Sequence, residues 1–245
     1  MKTQAGYCWA FIPARSGSKS VPMKNLAMLA GHPLLDYCVA AAKSSRHLDK
    51  IICSTDADVI ADHCAKLGIE VNKRPSELAT DETPLFDVIR GFLASAEANY
   101  GRVPEVIALV QPTSPFLLGC HLDKSIEAIF SNNNPASVQT VIRCPHNHHA
   151  YNQRIVEQGL VRFSYPDERR MAYNKQTKPL HYLFGNLVVF HTQQAMEQGT
   201  VFAHPSIGIE IPGLYGFDCD GPEDFDLGNA IINNRLVELH LYGPK

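Results

Sequence analysis

An α/β fold, with a mainly parallel sheet covered by helices on both faces, is what this sequence predicts, on three observations. Short apolar runs alternate with stretches of helical spacing along most of the chain, the pattern of successive strand–helix–strand units. The helical stretches are punctuated where helices begin and end, with Pro33 suited to a first turn, Asp56 to a cap and Gly68 to a stop. The composition, 45% hydrophobic and 19% charged over 245 residues, suffices for one large core.

Taken in order, "YCWAFI" (7–12) reads as the first strand and "PLLDYCVAAAKSS" (33–45) as the first helix. "DKIICST" (49–55) is the next strand, "DADVIADHCAKLG" a helix and "IEV" (69–71) a brief strand. "FDVIRGFLASAEANYG" is helical, "VIALV" (106–110) is a central strand, and "HLDKSIEAIFS" and "ASVQTVI" continue the alternation. From about 143 to 213 the chain turns polar, aromatic and rich in short β runs, which reads as an inserted β-rich lobe within a single domain spanning 1–245. The pattern resumes at "YGFDCDGPEDFDLGNAIINNRLVEL", read as a strand and a closing helix.

Composition narrows the function classes. A formal net charge of −3 offers no basic field for nucleic acid. No stretch reaches the length of a membrane span, and the amino terminus lacks a secretory pattern, so a cytoplasmic protein is expected. The 7 cysteines form no CxxC pair, which argues against a disulfide framework or a zinc ribbon. Trp9, Cys8 and Cys53 sit in apolar runs and read as core.

Parallel sheets bind ligands beyond the carboxyl ends of their strands, so the loops after "FI", "CST" and "ALV" carry the chemistry. The first, "PARSGSKSVPMKN", combines small residues with Arg15, Lys19 and Lys24. Backbone amides that can turn inward and nearby cations are what a phosphate chain needs, although neither GxxxxGK[ST] nor GxGxxG is present. The third, "LVQPTSPF" (109–116), is stiffened by two prolines around Thr113 and Ser114, with Gln111 poised to bond a polar ligand. Near the carboxyl end, Asp218 and Asp220 in "FDCDGPEDFD" would share one side of a strand. Such a pair suits Mg²⁺, or else caps the helix that follows, a role open also to Glu223 and Asp224. His146, His148 and His149 read as surface or substrate-lining residues rather than a zinc site, and Glu168–Arg170 as a solvated turn.

The ordered segments "FIPARSGSKSVPMKNL", "STDADVIA", "RPSELATD", "LVQPTSPF" and "FDCDGPEDF" resemble the CMP-sialic acid synthetases (acylneuraminate cytidylyltransferases), relatives of the CMP-Kdo synthetases. The resemblance implies a Rossmann-like nucleotidyltransferase fold and a homodimer formed through the lobe. It implies a Mg²⁺-dependent reaction of CTP with a nine-carbon 2-keto sugar acid, giving a CMP-sugar and pyrophosphate. By that similarity Arg15, Ser18, Lys19 and Lys24 would handle the triphosphate, with Asn25 and Arg74 on the nucleotide. Gln111 and Gln176 would face the sugar acid, and Asp218 and Asp220 would hold the metal. Arg15, Lys24, Asp218 and Asp220 would be the catalytic set.

Departures fall in the lobe. Lys175, Gln176 and Pro179 fit the family's arm, whereas Leu183 and Phe184 stand where an Arg-Pro pair is usual, and Asn152 where sialic acid enzymes commonly have lysine. The acceptor therefore stays open among N-acetylneuraminic, legionaminic, pseudaminic and related acids, with Arg154, Arg169, Arg170, Lys175 or Lys178 as substitute cations. Two rival readings stand beside this one: a nucleotidyltransferase for another nucleotide or a sugar phosphate, and a nucleotide-binding protein without turnover.

Overall fold

The computed structural model describes residues 2–131 and 133–242. Its first strand, β1 (Thr3–Pro13), carries the apolar "YCWAFI" run and stands in the middle of a seven-stranded sheet. A tight hairpin follows, β2 (Met28–Leu29) and β3 (His32–Pro33). Ala30 and Gly31 turn it with φ of 43° and 89°, the positive values that a two-residue primed turn requires.

Then come α1 (Leu34–Ser44), β4 (Lys50–Thr55), α2 (Asp58–Lys66), β5 (Glu70–Lys73), α3 (Leu85–Tyr100), β6 (Val103–Val110), α4 (Gly119–Ile129) and β7 (Ser137–Arg143). The arm holds a hairpin, β8 (Arg154–Glu157) and β9 (Leu160–Phe163), and the short helix α5 (Pro166–Met171). The chain re-enters the sheet as β10 (Tyr182–His191), continues through α6 (Thr192–Gln198) and β11 (Ser206–Glu210), and closes with α7 (Pro222–Asn233).

The sheet runs β11-β7-β10-β6-β1-β4-β5, all pairs parallel except those of β10, which is antiparallel to both neighbours. Because successive side chains of a strand alternate faces, Cys8, Ala10 and Ile12 of β1 pack under α1, α2 and α4, while Trp9 and Phe11 pack under α3 and α6. A third cluster seats α7 on the β2 hairpin and α1 through Leu29, Leu34, Tyr37, Phe225 and Ile232.

From β1 the chain steps outward to β4 and β5 with α1 and α2 on one face. It then returns through α3, on the opposite face, to place β6 on the other side of β1. The order of strands thus reverses between β1 and β6, where the loops diverge and leave a crevice.

Three expectations are corrected. The stretch "YGFDCD" is no strand: a 3-10 turn covers Gly213–Gly216, and the segment after it hangs on the β6 loop through Cys219 N–H to the Thr113 carbonyl at 2.7 Å. The span 143–213 read as a lobe contains two strands of the main sheet, so the part outside the sheet is the shorter run 144–181. Asp56 does not cap α2; Ala57 occupies that position without a side-chain bond, because Asp56 is engaged elsewhere. Among the described residues no helix is long and apolar enough to cross a membrane.

Gly185 shows how tightly the arm is joined to the sheet. A Cβ there would fall 2.6 Å from Thr140 Oγ1 and 2.9 Å from its carbonyl, at the point where the β10–β7 register shifts. Beside it, buried Asn186 donates to the Tyr215 carbonyl at 2.9 Å and lies 3.1 Å from His121 Nδ1.

Candidate active site

A cleft of about 500 Å³ opens at the switch point, beyond the carboxyl ends of β1 and β6. The β1 loop supplies Arg15, Ser18, Lys19, Lys24 and Asn25 to its wall, and the β6 loop supplies Gln111 and Thr113. Asp81, from the turn between β5 and α3, closes a third side.

The β1 loop is held by its neighbours rather than by regular structure. Ser16 donates to Asp56 twice, from N–H at 2.8 Å and from Oγ at 2.5 Å. Asp56 follows β4, so this tether joins two loops at the same sheet edge. Partial burial works to raise the Asp56 pKa, but the bonds from Ser16 outweigh it and hold the carboxyl below its ordinary value. Asn25 is buried and donates from Nδ2 to the Arg15 carbonyl at 2.9 Å. Met23, with φ of 50° in the left-handed region, reverses the backbone just before Lys24.

The cations are each paired. Arg15 lies 2.7 Å and Lys19 2.9 Å from Asp81. Lys24, its side chain only 15% exposed, lies 2.9 Å from Asp220 Oδ1, and it also donates to the Asp220 carbonyl at 3.3 Å. Ser20 Oγ donates to that same carbonyl at 2.5 Å. Thus the cationic loop and the acidic segment, expected to share a ligand, touch across 196 residues of chain.

Asp218 neighbours Asp220 and accepts a bond from the Thr113 hydroxyl. Desolvation raises its pKa and the charge of the neighbouring Asp220 adds to the rise. The helix start that follows is served by Asp224, which accepts from the N–H of Asp220 at 2.9 Å and of Gly221 at 2.7 Å. The capping role weighed for Asp220 therefore belongs to Asp224, and Asp218 and Asp220 keep their oxygens for other partners.

Arg74 is 8% exposed and donates to the Ser54 carbonyl at 2.8 Å and to its hydroxyl at 3.3 Å. Burial lowers its pKa, opposed by Asp56 and reinforced by Arg15, and it is not among the residues that line the cleft. Gln176 lies exposed on the arm, in the 3-10 turn Lys175–Thr177, and is not among the residues that line the cleft. His149 is not a surface histidine. It is buried, donates from Nε2 to the Pro179 carbonyl at 3.0 Å and stacks on His181 at 4.1 Å, pinning the arm together. Among the described residues no group of three or more metal-ligating side chains forms.

Two site residues escaped the sequence reading. Asp56 looked like a cap because it precedes a helix, although its position beyond the end of β4 was the available clue. Asp81 lies at the end of "RPSELATD", one acid among Glu77, Asp81 and Glu82 in a polar stretch, and nothing local marks its partners.

Residues 9–163 match the family model described as cytidylyltransferase. The chain is similar to N-acylneuraminate cytidylyltransferase A of Danio rerio, 36% identical over 240 residues that cover 96% of this chain and 52% of that one. It is similar to the N-acylneuraminate cytidylyltransferase of Escherichia coli O18:K1:H7, at 30% identity over 94% of this chain and 54% of the other. It is also similar to the CMP-N,N'-diacetyllegionaminic acid synthase of Legionella pneumophila, 28% identical over 94% and 96% of the two chains. The first curated relatives it matches are about twice its length, the chain spanning 50% of the Streptococcus agalactiae protein. A solved CMP:2-keto-3-deoxy-manno-octonic acid synthetase complexed with CTP shares the fold, with a TM-score of 0.69, 13% identity and coverage of 94% and 99%. With its motifs gathered at one sheet edge and more than half its length matched by the family model, this chain belongs to the cytidylyltransferase family.

Proposed function

We propose that the chain transfers the cytidylyl group of CTP to the anomeric hydroxyl of a nine-carbon 2-keto sugar acid, releasing pyrophosphate. The observation that carries this reading is the meeting of Lys24 with Asp220 in the cleft that also holds Arg15 and Lys19. A triphosphate laid along the β1 loop would exchange the Asp81 carboxylate for its own oxygens at Arg15 and Lys19. The names of the relatives point to the same class of acceptor.

In this reaction the hydroxyl oxygen bonds to the α-phosphorus in line, the bond to the β-phosphate oxygen breaks, and the hydroxyl proton leaves to solvent. The protein forms no covalent bond, so its share is positioning and charge neutralisation. Arg15, Lys19 and Lys24 offset the charge that grows on the departing pyrophosphate. Ser18 and Asn25 line the same wall and Gln111 lines the cleft from the β6 loop, where its amide would meet the acceptor, while Arg74 would act on the nucleotide.

The donor set fits Mg²⁺: two adjacent carboxylates are hard oxygen ligands, too few to enclose an ion, as suits one completed by substrate phosphates. Asp218 and Asp220 would hold it, and when bound it supplies charge neutralisation at the reacting phosphate.

The arm is proposed to form a homodimer. Val156, Leu160, Val161, Met171, Tyr173 and Leu180 are each 64–77% exposed there, more apolar surface than a lone hairpin leaves to water. Gln176 and the cations Arg169, Lys175 and Lys178 on this arm would reach a sugar carboxylate from the second copy. The reaction is placed in the cytoplasm, where nucleoside triphosphates are drawn on.

Pyrophosphate release, followed with Mg²⁺, each nucleoside triphosphate in turn and a panel of sugar acids, tests the proposal. Release with CTP and a nine-carbon keto acid supports it. Release with another nucleotide, or tight CTP binding without release under every acid, refutes it in favour of one of the rival readings.

A further inference from the structure

Each phosphate-facing cation already has a carboxylate partner, but the partners differ in origin. Lys24 is held by Asp220, one of the acidic couple, whereas Arg15 and Lys19 converge on the single carboxylate of Asp81, one oxygen each, at 2.7 and 2.9 Å. We infer that Asp81 is an internal counter-anion of the phosphate seat, a specificity-determining residue that keeps Arg15 and Lys19 from weakly charged anions and yields them only to a polyphosphate. This rests on the reading above that the seat serves a triphosphate.

Asp81 is delivered by a built turn. The Thr80 and Thr83 hydroxyls lie 2.7 Å apart, and Thr83 Oγ1 donates to the Glu77 carbonyl at 3.3 Å. The base of the turn is seated on α3: Leu78 packs so closely on Gly91 that a Cβ there would fall 2.5 Å from Leu78 Cδ1. On its other side the turn borders a second cavity of about 500 Å³, lined by Thr80, Glu82 and Thr83. Thus Asp81 borders the cleft while its neighbours Thr80 and Glu82 border the cavity on the other side. The two cations also keep the Asp81 carboxyl below its ordinary pKa, so it stays ionised at neutral pH.

The exchange balance follows from charge. An orthophosphate or a sugar carboxylate entering the seat swaps one small anion for another and loses its own hydration. It also competes with a tethered group whose effective concentration is on the order of millimolar or more. A polyphosphate reaches Arg15, Lys19 and Lys24 together, which one carboxylate cannot match. Asp81 therefore excludes the acceptor's own carboxylate from the donor's seat, and after transfer it competes with pyrophosphate for the same cations.

The test compares wild type with Asp81→Asn, which keeps the shape and removes the charge, and with Asp81→Ser should the first variant not fold. Binding of sodium pyrophosphate and of sodium phosphate is measured by calorimetry, and each salt is then run as an inhibitor against CTP. Phosphate is expected to bind about 3- to 10-fold more tightly without the charge, the range for two partly exposed ion pairs, and pyrophosphate to gain less, so that the preference for pyrophosphate narrows. Glu82→Gln, on the far side of the turn, should leave both affinities unchanged. Phosphate binding that is equal or weaker in the Asp81 variants, or an unchanged ratio of pyrophosphate to phosphate affinity, overturns the inference. A merely structural or metal-holding aspartate would weaken the site when removed, and a plain charge effect would move both anions alike. The calorimetry reads Asp81 even if CTP proves not to be the donor, so the two failures are separable.

Discussion

Replacing Lys24 by methionine keeps the aliphatic stem and removes only the ammonium, so it separates what this cation does for the fold from what it does for the reaction. Two unit charges at the observed 2.9 Å attract by about 1.4 kcal/mol at the dielectric of water. Asp220 is 70% exposed, and exposed pairs deliver roughly 0–1 kcal/mol once screening and side-chain entropy are counted. Urea unfolding should therefore shift by under about 1 kcal/mol. The same ammonium facing charge that develops on a leaving pyrophosphate, in a cleft partly closed to water, is worth about 10²- to 10³-fold in kcat. Steady-state pyrophosphate release, measured beside the unfolding midpoint, checks both numbers on one sample. Activity within about threefold of wild type in a folded Lys24→Met protein would refute the reasoning, since a cation in contact with the transferring phosphates cannot be so idle.

Other outcomes follow from the same geometry. Asp56→Ala releases Ser16 and should raise KM for CTP about tenfold, more than it lowers kcat, because it loosens the loop rather than removing a charge from the seat; steady-state kinetics read the split. Asp218→Ala should lower turnover by about 10³-fold or more while circular dichroism stays native, and near-normal activity would remove the metal assignment. Gly185→Ala forces a methyl group against Thr140 and should destabilise by about 1–3 kcal/mol in urea, by overpacking. Buried His121 has its pKa lowered to about 4, chiefly by burial and then by Lys124 and His240. Its Nδ1 accepts the Leu118 N–H at 3.3 Å, so the neutral ring is the one that fits. A histidine depressed on folding contributes stability that is present above its unfolded pKa and lost as pH falls from there toward the folded value. Unfolding free energy should thus drop by about 2 kcal/mol between pH 7 and pH 5, a slope His121→Gln should remove.

What the sequence determined by itself is local. Strand–helix alternation and helix punctuation reflect periodicity and propensity within a dozen residues, and every strand and helix read before residue 143 is present, with ends shifted by a few positions. The small, cationic composition of "ARSGSKS" and the acids of "FDCD" stood out as candidates, because phosphate and metal chemistry restrict which side chains can serve, and the fold does bring Lys24 to Asp220. Tertiary structure alone decided which distant groups meet. β10 enters antiparallel between β6 and β7, a pairing no local pattern encodes. "YGFDCD" has strand-like residues but joins no sheet, and its Cys219 N–H bonds the Thr113 carbonyl instead. A carboxylate carries the same letter whether it caps a helix, tethers a loop or pairs two cations. Asp56 and Asp81 took their roles only when packing brought Ser16, Arg15 and Lys19 within bonding distance. Hydrogen bonds and ion pairs act over about 3 Å, so they are settled by the last ångströms of packing rather than by the order of residues.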